Sequence, residues 1–312
     1  MVNLILNENM KLYRRWRTWT MMGLMIVVVI LASFMDWYYD GKEAKGDGWK
    51  QQVQEDTRKY QKALADPDLD PETKAYFEEQ VKLNSYRLDN DIRSEDGTMW
   101  DGINNSAELI VLITLFTVIV AGDSMAGEFT GGTIKLLLIR PASRLKILIS
   151  KYLSMLMFGI LLLVILFAVS VLFNGILYQF GHMNLPLLEI GAEGQVIEKN
   201  MVANLWESYL INCVSTVMFV TMAFMISSAF RSSALAIGLS IFALFAGALM
   251  MDLLQPYEWS KYLLFSNLGL SLGERPYQEG MTTTFSVLVL SAYFIVFNLT
   301  SWLVFTRRDV AA

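Results

Sequence analysis

Three observations predict an all-α, polytopic membrane protein: six long apolar segments, Lys and Arg gathered on alternate connections, and a polar, helix-forming stretch confined to one long connection. Hydrophobic residues make up 54% of the 312. The mean hydropathy of +0.40 accompanies an apolar share above that of soluble domains. The expected architecture is one transmembrane domain over residues 1–312. It has six transmembrane helices, an N-terminal interfacial helix, a short cytoplasmic helix between the second and third spans, and an extracytoplasmic helical hairpin.

Residues 1–17 come first. At 100° per residue, Val2, Ile5, Leu6, Leu12, Tyr13 and Trp16 fall within a sector of about 120°, interrupted by Asn9. Lys11, Arg14 and Arg15 lie opposite. This pattern describes a helix in the inner interface with its basic face toward anionic headgroups, or a positively charged topology signal. A helix needs about 20 apolar residues to cross the hydrocarbon core. The stretches 18–38, 103–121, 148–177, 205–230, 233–254 and 284–306 qualify. The first follows Lys11, Arg14, Arg15 and Arg17, as a signal peptide would. It is long, however, and ends in Phe34, Met35, Asp36 and Trp37 rather than small residues, so a retained anchor is expected.

Orientation follows from Lys and Arg near the span ends. Lys135, Arg140, Arg144, Lys146 and Lys151 of the 122–151 loop, Arg231 between spans four and five, and Arg307 and Arg308 share one side with the N-terminal cluster. Connections 178–204 and 255–283 carry only Lys199, Lys261 and Arg275. Both termini are therefore expected in the cytoplasm. The net charge of −5 adds little, because the charges are segregated by side.

The 39–102 connection has helical composition over 49–65 and 71–88, separated by Asp66-Pro67-Asp68-Leu69-Asp70-Pro71. Proline suits a first helical turn, and Asp70 before it suits the cap. The resulting outer hairpin is either a solvated spacer or a lid that contacts substrate.

Catalytic residues are not expected. Gly131-Gly132-Thr133-Ile134-Lys135 is too short for a phosphate loop, and no H-E-x-x-H, C-x-x-C or G-x-S-x-G occurs. Cys213 is the single cysteine, in an apolar segment, and His182 the single histidine, in a polar loop. This argues against a disulfide, a metal site or a Ser-His-Asp triad. The acids near span ends are Asp36, Glu108, Glu207 and Asp252. None sits at a span centre, where a charge costs roughly 2.5–3.5 kcal/mol, and an ion-coupled carrier usually needs one there. Glu108, the deepest at about 7–8 Å by helical rise, and the adaptable methionines Met218, Met222 and Met225 are candidates for a substrate path. Ser227, Ser228, Ala229, Ser232, Ser233, Ala234, Ala236 and Gly238 read as a packing seam.

Region 122–147 starts polar, turns helical and is halted by Pro141, with Ser143 placed to cap the third span. Its run EFTGGTIKLLLIRPASR, 128–144, resembles the hallmark G-T-[LI]-[KR]-x-L-L-x-x-P-[IV]-S-R of permease subunits of ABC-2 type ATP-binding-cassette transporters. Ala142 departs mildly from the branched residue usual there. NLILNE through RTW near the N-terminus, WSKYLLFSNL at 259–268 and FTRRDV at 305–310 are also similar to that family, in order and spacing. The 40–100 loop lies outside the resemblance.

The resemblance implies that region 122–147 holds a coupling helix. Glu128, Gly132, Thr133, Lys135, Arg140, Pro141 and Arg144 would form or flank the surface that meets the ATPase. It implies two cytoplasmic ABC ATPase subunits and a second permease chain, identical or related. ATP and Mg would be held by the ATPase and no cofactor by this chain. Lipids are expected as further partners and nucleic acid is not. The implied role is export across a bacterial cytoplasmic membrane. Two other readings remain from the residues: a non-transporting sensor or scaffold built around the outer hairpin, and an ion-coupled secondary transporter.

Overall fold

The computed structural model describes residues 1–39, 48–67, 69–138, 142–191, 194–268, 278 and 281–307, without the side chains of Glu72, Leu137, Leu138, Ala248 and Asp252. Arg140, Pro141, Arg275 and Arg308, named above, lie outside the described residues. Helix dominates, in the order α1 (Val2–Tyr13), α2 (Trp16–Tyr39), α3 (Gly48–Ala63), α4 (Pro71–Asp89), α5 (Met99–Ala107), α6 (Ile110–Thr130), α7 (Ile134–Leu138) and α8 (Arg144–Leu177). After β1 (Pro186–Ile190) and β2 (Val196–Asn200) come α9 (Met201–Ala229), α10 (Ser233–Leu254) and α11 (Thr283–Arg307).

Among the described residues, five stretches are long and apolar enough to cross a membrane: Trp16–Tyr39, Met99–Thr130, Arg144–Leu177, Met201–Ala229 and Thr283–Arg307. A helix satisfies its own backbone groups, which is what hydrocarbon demands of a crossing segment. α10 is also apolar and has 22 residues, about 33 Å at helical rise.

The chain divides into two compact units. Unit 1 comprises Met1–Met25, Leu109–Ile165 and Tyr209–Ala312, and unit 2 comprises Ile26–Glu108 and Leu166–Ser208. In unit 1, α10 packs along α6, so closely that a Cβ on Gly122 would lie 3.1 Å from the Ile237 Cα. Beside this contact the Ser227 hydroxyl oxygen accepts from the backbone N–H groups of Met125 and Ala126, both at 3.0 Å. Ser227, Ser228 and Ala236 are buried, whereas Gly238 faces open space.

In unit 2, α3 packs on α4, with the Tyr60 and Phe77 rings stacked at 5.3 Å. α4 starts at Pro71, and the Asp70 carboxylate accepts from the Thr73 N–H at 2.9 Å. Met99, Trp100, Ile103, Met201 and Leu205 form the apolar core of this unit.

The fold is mostly helical, as an all-α membrane protein requires, and the structure adds detail to it. β1 and β2 pair antiparallel, with Leu188 opposite Glu198. β-branched residues line β2, and Gly194, at φ +74°, turns the chain. The 103–121 stretch is two helices. The Thr98 hydroxyl caps α5 by accepting from the Trp100 N–H at 3.3 Å, and α5 buries Trp100 and Ile103 in unit 2 before a turn at 108–109. α6 then continues past Ala121 to Thr130, so most of what read as polar loop is helix. Glu108 consequently lies, exposed, in the turn between α5 and α6, within the Met99–Thr130 stretch.

Candidate functional site

The densest polar arrangement in unit 1 joins α1 to α6 and α8. It begins with a corner. After α1 the chain turns at Arg14 and Arg15, and the Thr18 hydroxyl donates to the Leu12 carbonyl at 2.7 Å. The Trp19 indole donates to the Tyr13 carbonyl at 2.9 Å. α1 thus leaves the line of α2 at a set angle and lays Glu8 and Asn9 inward, both buried.

Lys151, one helical turn and more into α8, is 3% exposed. Its ammonium donates to Glu8 at 2.8 Å, to Glu128 at 2.9 Å and to the Ser124 carbonyl at 3.2 Å. An ammonium has three N–H donors, and all three are used. Lys11 bridges the same two acids, at 3.1 Å from Glu8 and 3.2 Å from Glu128. Asn9 accepts from the Ser154 hydroxyl at 2.6 Å. A neighbouring group centres on Asp123, which accepts from Arg15 at 2.7 Å and also from Arg17 and from the Ser233 hydroxyl of α10. Burial by itself would raise the Glu8 pKa, but the Lys151 and Lys11 ammonium groups outweigh it and hold the carboxyl below its usual range.

Lys11 of α1 and Arg15 of the turn after it lie at direct ion-pair distance from carboxylates of α1 and α6, while Arg14 is exposed. The exposed side of α1 also carries Val2, Leu6 and Met10, at the i, i+4, i+8 spacing of one helix face.

The residues expected to form the partner surface divide into two groups. Glu128 faces inward, where its carboxylate accepts from Lys11, Lys151 and the Thr133 hydroxyl. The Arg144 guanidinium donates to the Thr306 carbonyl at 2.9 Å and so ties the start of α8 to the end of α11, where free carbonyls favour a cation. Gly132 has φ +68° with open space around it, and permits the turn between α6 and α7. In α7, Ile134 is buried with Met125, Ile147, Leu148, Phe224 and Phe305, while Lys135 and Leu136 are exposed. Among its described side chains, α7 thus buries one apolar residue and shows a basic and an apolar one. Arg140 and Pro141 follow it outside the described residues.

Of the substrate-path candidates, Glu108 belongs to unit 2 and the methionines to unit 1. Met218 and Met222 are buried and Met225 half-buried. Met218 lines a groove of about 820 Å³ with Leu290 and other apolar residues of α9 and α11. Among the described residues no group of three or more His, Cys, Asp and Glu side chains is placed to hold a metal ion.

Sequence reasoning missed Glu8, Asp123 and Lys151 as one constellation. The signal was there: Asp123 and Lys151 each border an apolar run, and an ion at such a place needs a partner. Both flank the basic 122–151 connection, where a charge reads as a solvated loop residue.

The long apolar helices define a multi-pass membrane protein of mainly helical fold. The chain belongs to the family described as Protein of unknown function (DUF2705), which it matches over residues 77–311. It is 40% identical to the "Uncharacterized protein YhcI" of Bacillus subtilis (strain 168) over 316 aligned positions that cover the whole of both chains. To the "Uncharacterized membrane protein YdbK" of the same organism it is 30% identical over 213 residues, covering 67% of this chain and 82% of that one.

Proposed function

We propose that this chain is the membrane-spanning permease subunit of an ATP-driven transporter of the ABC-2 type, working as an exporter in a bacterial cytoplasmic membrane. In this reading α2, α6, α8, α9, α10 and α11 are six spans, both termini are cytoplasmic, and α3 and α4 form the outer hairpin. Two cytoplasmic ATPase subunits bind and hydrolyse ATP with Mg, and a second permease chain completes the pathway. This chain performs no hydrolysis itself.

One observation carries the reading. α7 exposes Lys135 and Leu136 while its root is tied, through Glu128 and Lys151, to α1, α6 and α8. A push on α7 would therefore move several long helices together, because packed elements shift as bodies rather than deform. The ion pairs act as a clamp that keeps the coupling stiff. Lys135, Leu136 and Gly132 offer the docking surface, and Glu128, Thr133 and Arg144 hold its frame.

The test is capture of the tagged full-length chain from its native membrane, followed by assay for a co-purifying nucleotide-hydrolysing protein. Lys135→Glu combined with Leu136→Asp should lose the ATPase while the chain still inserts. Flux in vesicles that lack any ATPase would sink the proposal.

A further inference from the structure

Glu95 of unit 2 plays no part in the permease reading. It lies in the 90–98 segment between α4 and α5, with its side chain 20% exposed. Among the described residues no hydrogen bond reaches its carboxyl oxygens. The Arg87 guanidinium of α4 stands 4.0 Å away, and its other end donates to the Asn84 side chain at 3.0 Å. The further charges acting on Glu95 are acids: Asp96 beside it in the chain, Asp101 in the first turn of α5 and Glu189 of β1. Lys199 of β2 pairs with Glu189 at 2.6 Å, and the Arg93 guanidinium is 3.2 Å from the His182 ring nitrogen Nε2.

One cation at the limit of ion-pair distance thus opposes three carboxylates. A carboxylate so placed lacks the pairing that makes burial tolerable, and it holds a proton instead. Burial, opposed by Arg87 and helped by Asp96, Asp101 and Glu189, pushes the pKa up to about 7.

The backbone at Glu95 supports the next helix. Its carbonyl accepts from the Thr98 N–H at 3.0 Å and from the Thr98 hydroxyl. Thr98 is the N-cap of α5, and the Asp101 carboxylate reaches back to accept from the Gly97 N–H at 3.2 Å. These reciprocal bonds resemble a capping box, and Gly97, at φ +65°, makes the turn. Moving Glu95 therefore disturbs the cap of α5.

We propose that Glu95 is a proton-operated latch in unit 2. With its proton, the side chain stays beside α4 and β1, which pack on each other, and the cap of α5 is intact. Without it, repulsion by the three acids drives the 90–98 segment toward water and loosens the cap. The latch is closed on the acid side and loosened on the alkaline side, because the closed form binds the proton more tightly than the open one. It stands on unit 2 alone, so it survives or fails independently of the permease reading.

The test is hydrogen–deuterium exchange of the full chain in nanodiscs from about pH 5.5 to about pH 8, corrected for the intrinsic pH dependence of amide exchange. The amides of Gly97, Thr98 and Trp100 are expected to lose protection by about tenfold or more across that range. Glu95→Gln, which keeps the shape of the protonated form, should hold its protection throughout. Asp96→Asn should move the midpoint to lower pH and Arg87→Gln to higher pH, opposite shifts that a purely structural role for Glu95 would not give. If Glu95→Gln fails to insert, those two shifts decide. Protection independent of pH in the parent, a pH response that persists in Glu95→Gln, or midpoints that do not separate in the two charge variants overturns the proposal.

Discussion

In unit 1 the carboxylates of Glu8, Asp123 and Glu128 each face a cation at 2.7 to 2.9 Å. In unit 2 the Glu95 carboxylate is partly buried, with Arg87 4.0 Å away and with Asp96, Asp101 and Glu189 adding negative charge around it. Burial, helped by those acids and only partly offset by Arg87, pushes its pKa up to about 7. The same side-chain chemistry therefore gives a charge-paired clamp in one unit and a proton-holding carboxyl in the other. What differs is whether cations approach closely enough to repay desolvation. A buried ion is tolerable when paired and hydrogen-bonded, and otherwise it takes up or gives up a proton.

The sharpest way to break this contrast is Lys151→Met. It leaves Glu8 buried and removes the shared partner of Glu128, which should cost about 3–5 kcal/mol in equilibrium unfolding from mixed micelles. Adding Glu8→Gln should recover part of that loss. A cost below about 1 kcal/mol would mean the clamp is solvated like a surface ion pair.

Glu95 comes next, and its effect has the opposite sign in pH. The unfolded side chain loses its proton near 4.5 and the folded one near 7. Between those values the folded chain holds the extra proton, so stability falls as pH rises through the window, by about 3 kcal/mol in all. Glu95→Gln should flatten the profile there. For Glu8 the folded pKa is depressed, so its contribution is present above pH 4.5 and is lost as pH falls through the lower folded value. Parallel pH–stability curves of the parent, Glu95→Gln and Glu8→Gln would separate the two behaviours. Identical curves would erase the distinction.

Smaller effects probe the backbone that supports the clamp. Gly122→Ala should force α6 and α10 apart and cost about 1–3 kcal/mol as an overpacking change; it would be read as a lower unfolding midpoint. Gly132→Ala meets open space but a left-handed backbone, so about 1–2 kcal/mol of conformational strain is expected. The comparison of Gly132→Ala with Gly132→Asn checks it, because asparagine tolerates that conformation better.

Several elements were legible from local signals. The Asp70-Pro71 helix start and the Ser143 cap, accepting from the Lys146 N–H at 3.4 Å, stand where the residues placed them. α10 occupies Ser233–Leu254, the bounds of its apolar run. Each depends on neighbours in the chain, so each can be read along it. The misread elements depend on distant partners. α6 runs through Asp123 because Arg15 and Arg17, over a hundred residues earlier, neutralise it. Glu8 of α1 is buried because Lys151 pairs with it. β1 and β2 form where the sequence offered only a polar loop, since two short strands have little propensity signal until they pair and pack on α4.

The amino-acid sequence alone determined that this protein must live in a bilayer: hydropathy and helix length are additive along the chain, and no tertiary contact can reverse them. It did not determine which charges face water and which face one another. Coulomb energy depends on separations in space, and ions from Glu8 to Lys151 meet only after the helices carrying them have packed.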